Sequence, residues 1–264
     1  MKHNIAIIGG GNLGTAIAEG LIASKFSKPS EIVITKRNPS TLKALEKKGV
    51  VTSANNNEAV KRAAIVILAV KPYQVKDVLE GIKKDLTSSH LIVSVLTGVT
   101  ISDIEDVLKK KIPVFRAMPN TAIAIRESMT CLSSSNATAD QVKLVNDIFS
   151  TLGKVVTIEE KLMDAATVLG ACGTAYAMRY IRANIQGGIE IGFDVQTASL
   201  IAAQTVKGAA DLLLKRGSHP EHEIDKVTTP KGCTIAGLNE MEHRGFSSSL
   251  IKGVVASYDK ILHS

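Results

Sequence analysis

The stretch from Asn4 to Gly20, N-I-A-I-I-G-G-G-N-L-G-T-A-I-A-E-G, constrains the fold more than any other. Residues 4–8 are a short apolar, β-branched run with the character of a buried strand. The run breaks at Gly9, and Leu13, Ile17, Leu21 and Ile22 then recur at helical spacing over residues 13–25. Gly9, Gly11 and Gly14 satisfy G-x-G-x-x-G. In a strand–turn–helix setting the first glycine permits the tight turn and the second admits a pyrophosphate to the backbone. The third lets helix and strand pack closely. A purely structural glycine turn is the plainer alternative; the setting favours a dinucleotide.

Composition narrows the class. With 264 residues, 45% of them hydrophobic and 22% charged, the chain suits one large or two ordinary globular domains. No apolar run approaches a membrane span, and no signal-peptide pattern precedes the first strand. Cys131, Cys172 and Cys233 are odd in number and far apart, with no C-x-x-C pair. That points to reduced thiols in the cytoplasm, without a disulfide framework or metal site. The net charge of +7 is dispersed and aromatic residues make up 3%, so neither nucleic acid nor membrane is an expected partner. The surplus charge reads as solvated surface plus anionic ligands. The six histidines, His3, His90, His219, His222, His243 and His263, read as surface groups rather than catalysts.

Strands then alternate with helices. Residues 31–35 read as the second strand, and Asn38-Pro39 opens the next helix. An acidic residue near this strand end would hold the ribose 2′-hydroxyl of NAD. None lies between Lys36 and Leu45; Lys36, Arg37 and Asn38 stand there instead, which suits the 2′-phosphate of NADP. Ordinary surface charge is the alternative. Residues 65–70 and 91–96 are continuous apolar runs, typical of strands covered on both faces. Ser102 and Glu105 have capping-box spacing, and residues 112–118 form a further strand. These elements imply a doubly wound parallel sheet. The turns after Ile8, Thr35, Val70, Leu96 and Met118 should converge on one crevice.

Residues 129–134 read as an edge strand, Thr138 and Gln141 cap a helix ending near Gly153, and residues 154–157 close a first domain of residues 1–158. Residues 159–192, 195–216 and 233–262 read as helices rich in Ala, Leu and Ile, forming an all-helical domain of residues 159–264. Gly187-Gly188 either breaks the first of these or lets it pack closely. So much apolar helix suggests burial against a second subunit, a self-contained bundle being the alternative. Thr228, Thr229, Pro230 and Gly232 form a turn into a helix near Cys233-Thr234, which is either a small anion site or a Thr-rich cap.

Together these pieces resemble the Δ1-pyrroline-5-carboxylate reductase family along essentially the whole chain. The likeness rests on I-G-G-G-N-L-G, A-V-K-P from Ala69, S-V-L-T-G-V-T-I-S from Ser94, R-A-M-P-N-T from Arg116 and the late T-T-P-K-G-C-T-I-A-G-L. Lys231 and Cys233 depart from the family's S/T-P-G-G-T-T pattern, and Gly170–Thr174 from its S-G-S-G-P. The resemblance implies a Rossmann-type α/β domain followed by an all-α dimerisation domain. It also implies NADPH, with NADH as a second cofactor, reducing 1-pyrroline-5-carboxylate to proline. Cofactor contacts are implied at Ile8, Gly9, Gly10, Gly11, Asn12 and Leu13, at Lys36, Arg37, Asn38 and Asn56, at Ala69, Val70 and Lys71, and at Val95, Leu96 and Thr97. Substrate contacts are implied at Met118, Asn120 and Thr121, and at Thr229, Lys231, Gly232, Cys233 and Thr234, with the Thr234 hydroxyl on the ring nitrogen. It implies homodimers, assembled further into decamers, in which the loop of residues 229–234 meets the partner's cofactor.

A β-hydroxyacid dehydrogenase would need a lysine on the first long helix of the second domain, and none occurs between Lys161 and Lys207. A protein that binds NADP without turnover is the other alternative.

Overall fold

The computed structural model describes residues 4–263, so His3 lies outside the described residues. The first unit holds β1 (Ile5–Ile8), α1 (Asn12–Ala23), β2 (Ile32–Thr35), α2 (Lys43–Lys47), β3 (Val51–Ser53) and α3 (Asn56–Lys61). It continues with β4 (Ile65–Leu68), α4 (Val75–Ile82), β5 (Leu91–Ser94), α5 (Ile101–Leu108), β6 (Val114–Met118), β7 (Ser128–Ser135), α6 (Ala139–Ser150), β8 (Gly153–Thr157) and α7 (Met163–Ala166). The strands form one eight-stranded sheet in the order β3-β2-β1-β4-β5-β6-β7-β8. Pairing is parallel throughout except between β6 and β7.

Both faces of the sheet are covered, which explains the unbroken apolar runs. Ile5 and Ile7 of β1 join Phe115 and Phe149 in one core layer, while Ala6 and Ile8 point into the other beside Val66 and Ile104. Each isoleucine buried this way stabilises the fold by about 1.5–3 kcal/mol relative to exposure. His90 belongs to this interior as well. Its ring is buried, Nδ1 accepts the Thr87 backbone N–H at 3.0 Å, and it is not the surface group its position suggested.

Several expectations need correction. The strand expected at residues 129–134 spans Ser128–Ser135 and lies between β6 and β8, so β8 is the edge. Its serines and threonine disguised it, yet Ser128 and Thr130 are buried with their hydroxyls 3.4 Å apart. The capping box of α5 is Thr100 with Asp103, not Ser102 with Glu105: the Thr100 hydroxyl accepts the Asp103 N–H at 3.0 Å, and Asp103 accepts the Thr100 N–H at 2.8 Å. Strand β3, only half-buried, and helix α3, capped by Asn55, gave too short a pattern to read.

Residues 159–192 are not one helix. A 3-10 turn at Glu160–Leu162 leads through α7 into a π-helical turn at Thr167–Cys172, and α8 (Gly173–Glu190) follows. The chain divides into compact units between Cys172 and Gly173, so residues 159–172 fold with the sheet.

The second unit is α8, α9 (Val195–Arg216), α10 (Pro220–Lys226), α11 (Cys233–His243) and α12 (Phe246–Leu262). Gly187-Gly188 does not break α8; a Cβ at Gly188 would sit 3.2 Å from Ala198 Cβ, so Gly188 lets α8 and α9 close up, while a Cβ at Gly187 would meet nothing within 4 Å. Residues 233–262 are two helices, separated at Gly245, whose φ of +80° is left-handed. Met178, Ile191, Leu200, Leu214 and Ile251 of this unit are 61–78% exposed.

Candidate functional site

The carboxyl ends of β1, β2, β4 and β5 open onto one cleft of about 900 Å³. Every residue named above as a cofactor contact lines it, from Ile8 through Leu13, at Lys36, Arg37 and Asn38, at Asn56, and in the turns at Ala69–Lys71 and Val95–Thr97. The turn after Met118 is not among its walls, so four of the five expected turns converge.

The glycines divide their labour as the spacing required. Gly9 has φ +118°, and any side chain there would collide with Ala69 O. Gly10 N–H donates to Thr35 O at 2.6 Å, bending the turn over the end of β2. Gly11 faces open space, with nothing within 4 Å of the place a Cβ would take, and it caps α1 without a side-chain bond. Free N–H groups at a helix start, approached across a bare glycine, form an anion cradle.

At the other end Thr35 Oγ1 donates to Asn56 Oδ1 at 2.7 Å, fixing the rim. Lys36 and Arg37 form no ion pair among the described residues. Residues the sequence did not single out complete the wall, Ala54, Tyr73, Gln74, Asp77 and Val78, together with Pro72 of the A-V-K-P motif. Tyr73 is 81% exposed, and its signal was an aromatic side chain next to the Lys71-Pro72 strand end.

The expected substrate residues fall in both units. Met118 is buried at the end of β6. Asn120 is tied three ways: its N–H donates to Ser128 Oγ at 3.0 Å, its Oδ1 accepts from Ala122 N at 3.1 Å and its Nδ2 donates to Gly170 O at 3.1 Å. Thr121 begins the 3-10 turn Thr121–Ile125. Close by, Arg116 is 2% exposed with carboxylates of Glu160 and Asp164 beside it, a cluster that no sequence pattern singled out.

In the second unit Gly232 N–H donates to Thr229 O at 2.9 Å, closing a turn with Pro230 and Lys231 at its centre. Lys231 holds φ +58°, a conformation glycine adopts freely, so lysine is strained there. Gly232 is the N-cap of α11 and no side chain caps it. The Thr-rich cap is thereby excluded: the Thr228 hydroxyl donates instead to Ile224 O at 2.8 Å, and Thr234 lies inside the first turn. Cys233 is exposed and Cys172 half-buried; Cys131 is half-buried too, and burial pushes its thiol up. All three thiols are free, and no group of three metal-ligating side chains exists among the described residues.

A glycine turn facing an uncapped helix start, at the carboxyl edge of a doubly wound sheet, defines a Rossmann-type dinucleotide-binding protein. Pyrroline-5-carboxylate reductase 2 of Dictyostelium discoideum is 46% identical over 275 residues, covering 98% of this chain and 92% of the relative. The chain belongs to the pyrroline-5-carboxylate reductase family. Pyrroline-5-carboxylate reductase 1 of the same organism is 51% identical across 98% of this chain, which spans about half (49%) of that longer relative. The crystal structure of Plasmodium falciparum pyrroline carboxylate reductase with NADP bound superposes with a TM-score of 0.88 at 27% identity, covering 98% of this chain and 97% of the other. The family model for pyrroline-5-carboxylate reductase dimerisation matches residues 160–263, and that for NADP oxidoreductase, coenzyme F420-dependent, matches residues 4–98. No helix among the described residues is long and apolar enough to cross a membrane.

Proposed function

We propose that this protein is an NADPH-dependent pyrroline-5-carboxylate reductase, reducing the C=N bond of 1-pyrroline-5-carboxylate to give L-proline in the last step of proline biosynthesis. The carrying observation is the cleft that joins an open phosphate cradle at Gly11 to unpaired Lys36 and Arg37, in a member of this family. Two cations and no acid at the end of β2 suit a 2′-phosphate, so NADPH is preferred over NADH.

The cofactor supplies the hydride when bound; the chain's own residues do the rest. The turn of residues 8–13 and the first N–H groups of α1 hold the pyrophosphate. Lys36, Arg37 and Asn38 take the 2′-phosphate side, while Ala69–Lys71 and Val95–Thr97 orient the dinucleotide along the cleft. Residues 118–121 of one copy and 229–234 of a second copy hold the imine. In the second group the uncapped start of α11 suits its carboxylate, and the Thr234 hydroxyl donates to the ring nitrogen as hydride arrival gives that nitrogen a lone pair. A cyclic imine can enter already protonated, so positioning and one donor suffice where a ketone would need a strong acid.

The exposed apolar faces of α8, α9 and α12 suit burial against a second copy, giving a homodimer that can build a decamer. The free thiols suit the cytoplasm. The decisive assay follows NADPH oxidation with 1-pyrroline-5-carboxylate and identifies proline as product. Tight NADPH binding without turnover would favour a non-catalytic NADP sensor instead.

A further inference from the structure

Arg116 stands on β6 two residues before Met118, and so on the same strand face. Its Nη2 donates to Asp164 Oδ1 at 3.3 Å, and its Nη1 lies 3.6 Å from Glu160 Oε1. The guanidinium is almost wholly buried, and among the described residues its Nε has no hydrogen-bond partner. Ser133, its register partner on β7, likewise has a buried hydroxyl without a partner. A charge buried this deeply is costly unless compensated. Residues 160–164 therefore cannot leave the sheet without stranding it.

The contacts on either side of this pair run toward the site. Glu160 Oε1 also accepts the N–H of Ile101 at 2.7 Å, the first residue of α5, just beyond the cleft-lining turn Val95–Thr97. Asp164 sits in α7, directly before the π-turn Thr167–Cys172. That turn presents Gly170 O to Asn120 Nδ2, and Asn120 follows Met118. A ring is thus closed, from Arg116 through Asp164, the π-turn, Gly170 and Asn120 back to β6. π-turns carry an extra residue per turn and recur at functional sites. Here the turn sets where Gly170 O meets Asn120.

We propose that Arg116 is a positioning residue for the imine-holding loop of residues 118–121, acting through Asp164 and the π-turn. The proposal rests on the reading of that loop as substrate-binding. With Asp164 in place the π-turn is held in the register that aims Asn120; with the ion pair lost the loop keeps its fold but not its aim.

The test is Asp164→Asn, which keeps the shape and removes the charge. Imine KM and kcat, NADPH affinity by fluorescence titration and melting temperature are measured on one preparation. The expected result is a loss of imine kcat/KM on the order of ten- to a hundredfold, because misplacement of a positioned group is felt in the rate. NADPH affinity should stay within about twofold, since the ring touches no phosphate-binding group, and Asp164→Glu should recover part of the loss. Unchanged imine kinetics, with or without a lower melting temperature, overturn the proposal and leave Arg116 a purely structural ion. If Asp164→Asn does not fold, Glu160→Gln, which still accepts from Ile101, is read in the same way. Asn120→Ala separates the two levels. If it changes imine KM while Asp164→Asn does not, only the positioning role fails. If neither variant does, the substrate-loop reading falls and the proposal with it.

Discussion

Gly14 is seated on Gly9: a side chain at Gly14 would collide with the Gly9 carbonyl oxygen, so α1 rests directly on the turn it follows. Gly11, between them, meets nothing within 4 Å. The two positions should therefore answer differently to alanine. Gly14→Ala should overpack the helix–strand contact, cost about 1–3 kcal/mol and weaken NADPH binding as the turn shifts. Gly11→Ala should stay within about 1 kcal/mol of the parent, the cost of a poorer N-cap, while obstructing the pyrophosphate. Melting curves and NADPH titrations of both variants check this. Full NADPH affinity in Gly11→Ala would mean the cradle is not where the pyrophosphate lies.

Lys36 and Arg37 sit past the end of β2 with no acidic neighbour between Lys36 and Leu45. Replacing both with alanine should raise the KM for NADPH roughly 10–100-fold through lost charge-assisted hydrogen bonds, and leave that for NADH nearly as it was. Steady-state kinetics with each cofactor decide it. Equal changes for the two would return these cations to ordinary surface charge.

How much of this could be read in advance follows from where the signal is local. Strands such as Ile65–Leu68 and Leu91–Ser94, buried on both faces, announce themselves as apolar runs, and Gly9, Gly11 and Gly14 carry their geometry in their spacing. The interior place of Ser128–Ser135 was hidden because its partners come from distant sequence, and the Ser128 and Thr130 hydroxyls meet in the interior only after folding. The Arg116 cluster was hidden for the same reason: its carboxylates come from residues 160–164, in a segment that reads as helix. Lys231 taught the reverse lesson. Its departure from a glycine pattern was visible, but only the φ of +58° explains why glycine suits that place.

Asp103 gives a pH prediction with a defined sign. The Thr100 hydroxyl, then the Thr100 N–H and the charge of Arg116, hold its carboxyl below the ordinary value of 3.8. A depressed native pKa contributes stability that is present above the unfolded value and lost as pH falls through the native one. Stability should therefore fall below about pH 4. Asp103→Asn should be less stable at neutral pH and lose less on acidification. Urea midpoints taken across that window test this, and parallel curves for the two proteins would exclude a role for Asp103.

The second unit presents large apolar side chains on its surface. Ile191 is 78% and Leu200 71% exposed, and α8 and α9 border a groove of about 500 Å³ that includes Ile201. Exposed patches of this kind mark interfaces. Light scattering at micromolar concentration should find a dimer or larger, and Ile201→Glu should shift it toward monomer with loss of activity. A folded, active parent monomer would refute the assembly.

Thr234 is the sharpest test of the reaction. Gly232 is the N-cap of α11 and nothing on a side chain caps it, so the Thr234 hydroxyl is not engaged in holding the helix start. It makes no hydrogen bond among the described residues and is half-exposed beside free backbone N–H groups. A carboxylate held by those groups would bring the imine nitrogen within reach of the hydroxyl. The bond strengthens as the nitrogen gains electrons, so Thr234→Val should lower kcat by roughly 10–100-fold, the worth of a hydrogen bond to a group gaining charge. Stability should change by no more than about 0.5 kcal/mol, since no cap is lost and valine keeps the shape. Melting temperature and kcat on one preparation separate the outcomes. A fall in kcat at constant melting temperature assigns the hydroxyl to the transition state, whereas a lower melting temperature with unchanged kcat would make Thr234 a structural residue.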